Sequence, residues 1–201
     1  SGAVPTVDQL MQLVLYRELL ELKFGQALPM ISAGSSAVLP LLLEGKVPAA
    51  INHFRIGEAA FLGSNLVHGG LLPGLRDDAI TLQAEVVEIK EKSLVPLGET
   101  TTMTPFEPVG GAHSPTQPGQ RGHRALVAVG QLDTDVGGLV PLGPGHTIVG
   151  ASSDLIVVHV GADEYLRVGD TLSFRPSYSA TVRLMSSPYI DKLVTPSVES
   201  F

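Results

Sequence analysis

The pattern of apolar residues changes near Gly70, and this change limits most strongly how the chain can fold. Before it, two short apolar runs, at residues 28–32 and 49–54, each lead into a helical pattern. After it, short runs of alternating apolar and polar residues are separated by turns rich in Gly, Pro and Asp. The first pattern is typical of parallel α/β units, and the second of an all-β barrel or sandwich. We therefore predict an α/β region over residues 1–70 and an all-β domain over 71–201.

The α/β region begins with a helix whose two ends are marked in the sequence. Thr6 and Gln9 fit a capping box, and Gly25 suits the C-terminal cap. Two shorter helical runs are predicted at residues 33–43 and 57–63. Between the caps of the first helix, apolar residues recur at helical spacing: Leu10, Met11, Val14, Leu15, Leu19 and Leu22.

Two parallel strands cannot cover both of their faces, so the α/β region looks incomplete by itself. We expect the chain alone to be poorly stable or to associate, because uncovered apolar strands and open sheet edges favour association. In the all-β domain the alternation predicts a strand at 80–89, with a bulge at Val87. Further strands are predicted at 124–129, 147–149, 155–160, 171–174 and 181–185. A long loop rich in Gly and Pro, at 103–123, separates the first two.

Composition excludes several classes of protein. The 201 residues carry a net charge of −7, which argues against nucleic acid or an anionic membrane as the main partner. There is no cysteine, so disulfides and thiolate metal sites are excluded, and the histidines lack a metal-ligand spacing. No apolar run reaches the roughly 20 residues of a membrane span, and no signal peptide is evident. We expect a cytoplasmic protein without a metal.

Two loops predict a phosphate site. The segment AGSSA, at residues 33–37, follows the first predicted strand, and RIGE, at residues 55–58, follows the second. The carboxyl ends of parallel strands share one edge, and a helix N-terminus offers free N–H groups to an anion. Ser36 would add a hydroxyl group, and Arg55 a positive charge. The alternatives are that Ser36 only caps a helix, that Gly57 only makes a turn, and that Arg55 forms a surface ion pair.

The order of these segments resembles a known family, the alanine racemase-like enzymes of fold type III that use pyridoxal 5′-phosphate. The nearest resemblance is to the ornithine and alanine racemase branch. The family implies an eight-stranded α/β barrel followed by a C-terminal β-domain, and a head-to-tail homodimer with shared active sites. The segments that carry the resemblance span almost the whole chain: ISAGSSAVLPLLLEG, INHFRIGEAAFLG, LQAEVVEIKEK, LVAVGQLDTDVGGL, IVGASSD and LMSSPYIDKLV.

The resemblance implies roles for five residues that would hold the cofactor. Ser36 matches a serine that binds the phosphate, and Gly57 and Glu58 match the backbone amides that bind the same group. Arg55 matches an arginine that faces the pyridine nitrogen. A guanidinium group keeps its proton, so it would keep that nitrogen unprotonated and make the ring a weaker electron acceptor. Tyr189 matches a tyrosine near the phosphate.

The β-domain carries the residues that the resemblance places near the substrate. Asp133, Asp135 and Asp154 lie where the partner's β-domain reaches the substrate, and we expect them to pair with a cationic side chain such as that of ornithine. Asp154 is also a candidate catalytic residue. Alanine racemases place a catalytic tyrosine shortly after a Gly-Glu pair, but here the sequence continues TTTMTPF. His113 or His123 is our candidate for the missing proton-transfer group.

A second departure from the family concerns the lysine that forms the Schiff base. In the family this lysine lies at the end of the first barrel strand, well upstream of the matching segments. None of the lysines present fits that place: Lys23, Lys46, Lys90, Lys92 and Lys192. The chain therefore resembles only the last part of the barrel together with the β-domain, and we expect it to be inactive alone.

These observations predict the C-terminal portion of a pyridoxal-phosphate-dependent racemase that acts on an ornithine- or alanine-like amino acid. An upstream fragment of the same protein is a possible partner. One rival is a decarboxylase of the same fold, which would release carbon dioxide. The other is a non-catalytic protein that binds the cofactor or another phosphate but has lost the chemistry.

Overall fold

The computed structural model describes residues 3–93, 121–161 and 165–195. The chain divides into two compact units, Ser1–Ala79 and Ile80–Phe201. No helix in the described ranges is both long enough and apolar enough to span a lipid bilayer.

The first unit opens with α1, Val7–Phe24, whose ends are those that the sequence predicts. Thr6 Oγ1 accepts the Gln9 N–H, the Gln9 side chain accepts the Thr6 N–H, and Gly25 closes the helix in the left-handed conformation. A 3₁₀ turn, Ser36–Val38, continues into α2, Leu39–Leu43, and α3 follows at Glu58–Leu62. Both short helices lie within the predicted runs.

The two predicted strands of this unit are reduced to a single parallel bridge between Ser32 and His53. Pro29 has no N–H to contribute, and the Asn52 side chain replaces further backbone pairing. Its Oδ1 accepts the Ile31 N–H at 3.0 Å, and its Nδ2 donates to the Pro29 carbonyl at 2.8 Å. The parallel direction agrees with the prediction, but neither segment extends into a regular strand. The core of the unit consists of Leu10, Ile31, Ala33, Val38 and Ile51.

The second unit is a six-stranded antiparallel sheet. Its strands are β1, Leu82–Ser93; β2, Arg121–Val127; β3, Leu139–Pro141; β4, Thr147–Ala151; β5, Ile156–Gly161; and β6, Thr171–Pro176. Their order is β3-β6-β1-β2-β5-β4, with every neighbouring pair antiparallel. The two outer strands, β3 and β4, also contact each other, so the sheet curls into a nearly closed barrel.

The core of this barrel is built from alternate residues of the strands. Leu82, Ala84 and Val86 of β1 are buried, and the register then shifts between Val86 and Glu88. This irregularity is the bulge predicted at Val87. Phe174, which is fully buried, is the largest side chain of the core. The α/β and all-β fold classes are thus confirmed.

One predicted strand of the barrel is wrong. The segment 181–185 lies in a helix, α4, which spans Tyr178–Ser186. Ser177 caps this helix by accepting the Ala180 N–H, and the Thr181 hydroxyl donates to the Ser177 carbonyl at 2.8 Å. Ala180 and Leu184 are buried four residues apart, which is helical spacing. In addition, β3 was not predicted, because it is only three residues long and ends in proline.

Candidate functional site

The two predicted phosphate loops meet at Ser36. This side chain is only 3% exposed, and its Oγ accepts the N–H of Ala59 at 3.1 Å. Ala59 lies in the first turn of α3, directly after Gly57 and Glu58. The serine hydroxyl therefore lies against the start of the helix that follows the second loop. Its proton remains available for donation, because a hydroxyl group both donates and accepts.

The start of α3 presents backbone N–H groups beside that hydroxyl. The Gly57 carbonyl accepts the N–H groups of Ala60 and Phe61, while Ser36 accepts that of Ala59. Within the described ranges, the N–H groups of Gly57 and Glu58 have no acceptor. A Cβ atom added at Gly57 would meet no atom within 4 Å, so the backbone is open to a ligand on that side.

The Glu58 side chain faces a different group. Its Oε1 accepts the Ser64 hydroxyl at 3.2 Å, and the residue is half-buried. The carboxylate is thus bound within its own unit. Glu58 can therefore contribute to anion binding through its backbone N–H, the role that the resemblance implies.

Arg55 borders an open cavity of about 290 Å³. Its backbone N–H donates to the Gly34 carbonyl at 3.2 Å, which ties the second loop to the first. Its side chain is exposed, and no acidic group in the described ranges forms an ion pair with it. The surface ion pair considered as an alternative is therefore not formed there. The cavity is also lined by Gly34, Ser35 and Leu10.

Gly34 is a residue of this site that the sequence analysis did not single out. Its φ of +81° lies in the left-handed region, and an added Cβ would lie 2.7 Å from the Cβ of Val38. Only glycine avoids both the strain and the clash. The signal for it was a glycine directly before two serines, where the chain leaves a strand and enters a helix.

The three candidate aspartates lie on two loops of the second unit that are joined backbone to backbone. The N–H groups of Gln131 and Leu132 donate to the carbonyls of Ser152 and Ser153, both at 3.0 Å. A Cβ at Gly130 would lie 2.1 Å from the Ser153 carbonyl oxygen, so the two loops approach each other too closely for any residue other than glycine at this position. Gly130 is not recognisable from the sequence, because its role depends on a partner 23 residues away.

Each aspartate has a different partner. Asp133 Oδ2 accepts the Gly130 N–H at 2.9 Å, within its own turn. Asp135 accepts the hydroxyl of Ser179, in the first turn of α4. Asp154 is exposed and binds only the hydroxyl of its neighbour Ser153 in the described ranges, at 2.6 Å.

Three candidate residues remain: Tyr189, His123 and His113. Tyr189 belongs to the second unit and its side chain is 87% exposed. His123 lies in β2, opposite Gly161 of β5. His113 lies outside the described residues.

Shifted carboxyl pKa values are found at exposed pairs that are not part of these clusters. Hydrogen bonds from Lys90 and Lys92 hold the pKa of the Glu88 carboxyl below its usual range. Similarly, a hydrogen bond from Lys46 lowers the pKa of Glu44. Among the described residues, no group of His, Asp and Glu forms a metal-binding cluster.

Comparison with known proteins finds racemases that are similar to this chain. No family model matches the sequence. The lysine racemase of Thermotoga maritima is 34% identical over 198 residues, which are 98% of this chain and 54% of that protein. The ornithine racemase of Acetoanaerobium sticklandii is also 34% identical, over 96% of this chain and 53% of that protein.

The chain is similar to a C-terminal portion of the alanine racemase-like enzymes, the family that its sequence resembles. It spans about half the length of the curated relatives that it matches. The family resemblance drawn from the sequence is thereby confirmed.

Solved structures that match this chain show the same fold. The alanine racemase of Bartonella henselae, with covalently bound pyridoxal phosphate, matches with a TM-score of 0.53 and 16% identity. That match covers 86% of this chain and 44% of the other. The D-threonine aldolase of Filomicrobium marinum matches with a TM-score of 0.52 and 17% identity, over 88% of this chain and 39% of the other. At such identities the likeness concerns the fold alone.

Proposed function

We propose that this chain is the C-terminal portion of a pyridoxal-phosphate-dependent racemase that acts on a basic amino acid such as lysine or ornithine. The observation that carries the proposal is the hydrogen bond between Ser36 and Ala59, which joins two loops that are both suited to a phosphate. The names of the two relatives support racemisation of a basic amino acid.

The residues of the first unit fit the phosphate of this cofactor. Ser36 can donate its hydroxyl proton, and Gly57 and Glu58 can each donate a backbone N–H at the start of α3. Several N–H groups that converge on one anion form the kind of site that binds phosphate at helix starts. The open space beside Gly57 lets the phosphate approach the backbone.

Arg55 fits the other end of the cofactor. Its guanidinium group has no acidic partner in the described ranges that would compete for it. Pyridoxal phosphate, when bound, supplies a conjugated ring that withdraws electrons from the α-carbon of an attached amino acid. A guanidinium group has only donors, so Arg55 can donate to the ring nitrogen but cannot accept a proton from it. We expect it to restrain that withdrawal and so to suppress side reactions.

Racemisation also needs a proton donor or acceptor on each face of the α-carbon. We assign one face to a lysine of the protein upstream of this chain. For the other face, Asp154 and His113 remain the candidates, with His123 as an alternative to His113.

We assign recognition of the cationic side chain first to Asp154. Its carboxylate is exposed and binds only a neighbouring hydroxyl in the described ranges, so it can pair with an ammonium group. Asp133 and Asp135 are the other acids that the resemblance implies. We propose that Asp133 and Asp154 reach the active site of the partner protomer in a homodimer located in the cytoplasm.

The test uses the full-length protein that contains this chain, loaded with pyridoxal phosphate. Chiral chromatography should show L-lysine or L-ornithine converted to an equal mixture of its enantiomers. The Asp154→Asn variant should lose its preference for these substrates over alanine. If the substitution left that preference unchanged, the role of Asp154 would be refuted.

Two further readouts separate the rival functions. Release of carbon dioxide from a diamino acid, without racemisation, would identify a decarboxylase. Reduction with borohydride followed by denaturing mass measurement locates the lysine that carries the cofactor. We expect the adduct upstream of this chain. A full-length protein that binds pyridoxal phosphate but gives no adduct and no reaction would be the non-catalytic binding protein.

A further inference from the structure

Asp135 is joined to the first turn of α4. Its carboxylate accepts the hydroxyl of Ser179, which also hydrogen-bonds to the Ser177 hydroxyl at 3.0 Å. Ser177 is the N-cap of α4, and its Oγ accepts the Ala180 N–H at 3.3 Å. Asp135 thus extends the capping network that begins the helix.

The residues on both sides of Asp135 hold the same helix. The fully buried Thr134 donates its hydroxyl proton to the Ala180 carbonyl at 3.1 Å. The Ser177 N–H donates to the Gly138 carbonyl at 2.7 Å. A Cβ at Gly138 would lie 2.0 Å from the Ser177 Oγ, so no larger residue fits there without movement. The loop from Thr134 to Gly138 therefore fixes where α4 begins.

The other end of α4 leads directly to Tyr189. Ser187 is the C-cap, and its N–H donates to the Arg183 carbonyl at 3.0 Å. The Tyr189 N–H in turn donates to the Ser187 Oγ at 3.3 Å. Lys192 Nζ donates to the Ser187 carbonyl and holds the same turn. A movement of α4 would therefore carry the Tyr189 backbone with it.

We propose that Asp135 is a positioning residue for α4, and through α4 for Tyr189. Its carboxylate acts as a hydrogen-bond acceptor for Ser179, and not as a charge for a cationic substrate. Only the consequence for the cofactor and substrate rests on the proposed function. The role of Asp135 in positioning the start of α4 follows from the contacts of the second unit alone.

The test compares four variants of the full-length protein: Asp135→Asn, Asp135→Ala, Ser179→Ala and the double variant Asp135→Ala/Ser179→Ala. Asparagine keeps a carbonyl oxygen that can accept the Ser179 hydroxyl but has no charge. The first readout is hydrogen exchange of the amides of α4 and Tyr189 in the cofactor-free protein. Because each alanine variant loses a hydrogen bond to a charged group, exchange should speed up about tenfold or more in each.

Two further results are expected. The double variant should exchange no faster than Ser179→Ala, because that substitution already removes the bond that Asp135→Ala removes. Asp135→Asn should exchange at close to the native rate. The proposal would be overturned if Asp135→Asn exchanged as fast as Asp135→Ala. It would also be overturned if the effects of the two single alanine substitutions on the exchange rate were fully additive in the double variant.

The second readout separates positioning from recognition of charge. In all four variants the KM values for lysine and for alanine should change by the same factor. A tenfold rise in KM for lysine alone in Asp135→Asn, with Ser179→Ala unaffected, would show that the charge meets the substrate and would overturn the proposal. If the protein racemises neither amino acid, the proposed function has failed, and the hydrogen-exchange result still decides the role of Asp135.

Discussion

Replacement of Ser36 by alanine tests the link between the two phosphate loops. It removes the only acceptor that the described residues offer to the Ala59 N–H, and Ala59 is fully buried. A buried donor left without a partner costs about 1–3 kcal/mol. We therefore expect the free energy of unfolding to fall by roughly that amount. The same substitution removes a hydroxyl group that we assign to the cofactor phosphate.

The neighbouring serine is a matched control. Ser35 is exposed, and its Oγ accepts the Ala37 N–H at 3.4 Å, a long hydrogen bond. Loss of an N-cap costs about 0.5–2 kcal/mol, and this geometry favours the lower end. Urea denaturation of the two full-length variants should show a larger loss for Ser36→Ala than for Ser35→Ala.

Cofactor titration completes this test. A hydrogen bond to a charged group is worth about 1.5–3 kcal/mol, which corresponds to an affinity loss of roughly ten- to hundredfold. Ser36→Ala should weaken binding of pyridoxal phosphate by that factor and leave binding of pyridoxal, which lacks the phosphate, nearly unchanged. An equal loss for both compounds would refute the phosphate contact. Equal destabilisation by the two serine substitutions would refute the link through Ala59.

Three further substitutions test the structure around the site. Gly34→Ala should lower the free energy of unfolding by about 1–3 kcal/mol and weaken cofactor binding, because the left-handed backbone and the clash with Val38 both oppose the added methyl group. Urea denaturation measures the first effect and fluorescence titration the second. Gly130→Ala should separate the two acidic loops, because its Cβ would lie 2.1 Å from the Ser153 carbonyl oxygen, and faster hydrogen exchange at residues 130–133 would report it. Phe174→Ala should destabilise the barrel by about 3–5 kcal/mol in urea denaturation, since it empties the largest fully buried position. A cost under about 1 kcal/mol for Phe174→Ala would contradict the described core.

The sequence predicts the strands of the barrel best where alternation is long. In β1 three buried residues at every second position define the inner face, and even the bulge at Val87 is visible as a slip in the pattern. The segment 181–185 shows where this fails. Over five residues an alternating pattern and a helical one share most of their apolar positions. The capping by Ser177 decides the outcome, and the serine cluster around it was the available signal.

The contact between the two loops at Ser36 could be predicted because each loop follows an apolar run and leads into a helical pattern. A helix start that approaches an anion needs glycine and a small hydroxyl residue, and both appear at Ser36 and Gly57. The roles of the aspartates could not be separated in the same way. Asp135 and Asp154 are distinguished by their partners, and Ser179 lies 44 residues from Asp135 in the sequence.

The apolar face of α1 shows a different limit of sequence patterns. Its period is helical, as predicted, and Leu10 is buried while Val14 packs partly against the core. The side chains one position further along are exposed, with Met11 at 51% and Leu15 at 52%. Leu22, at the end of the stripe, is 83% exposed. Periodicity identifies the apolar face of a helix, but the residues that pack against that face belong to other parts of the fold. The described residues supply it only for the first turns of α1.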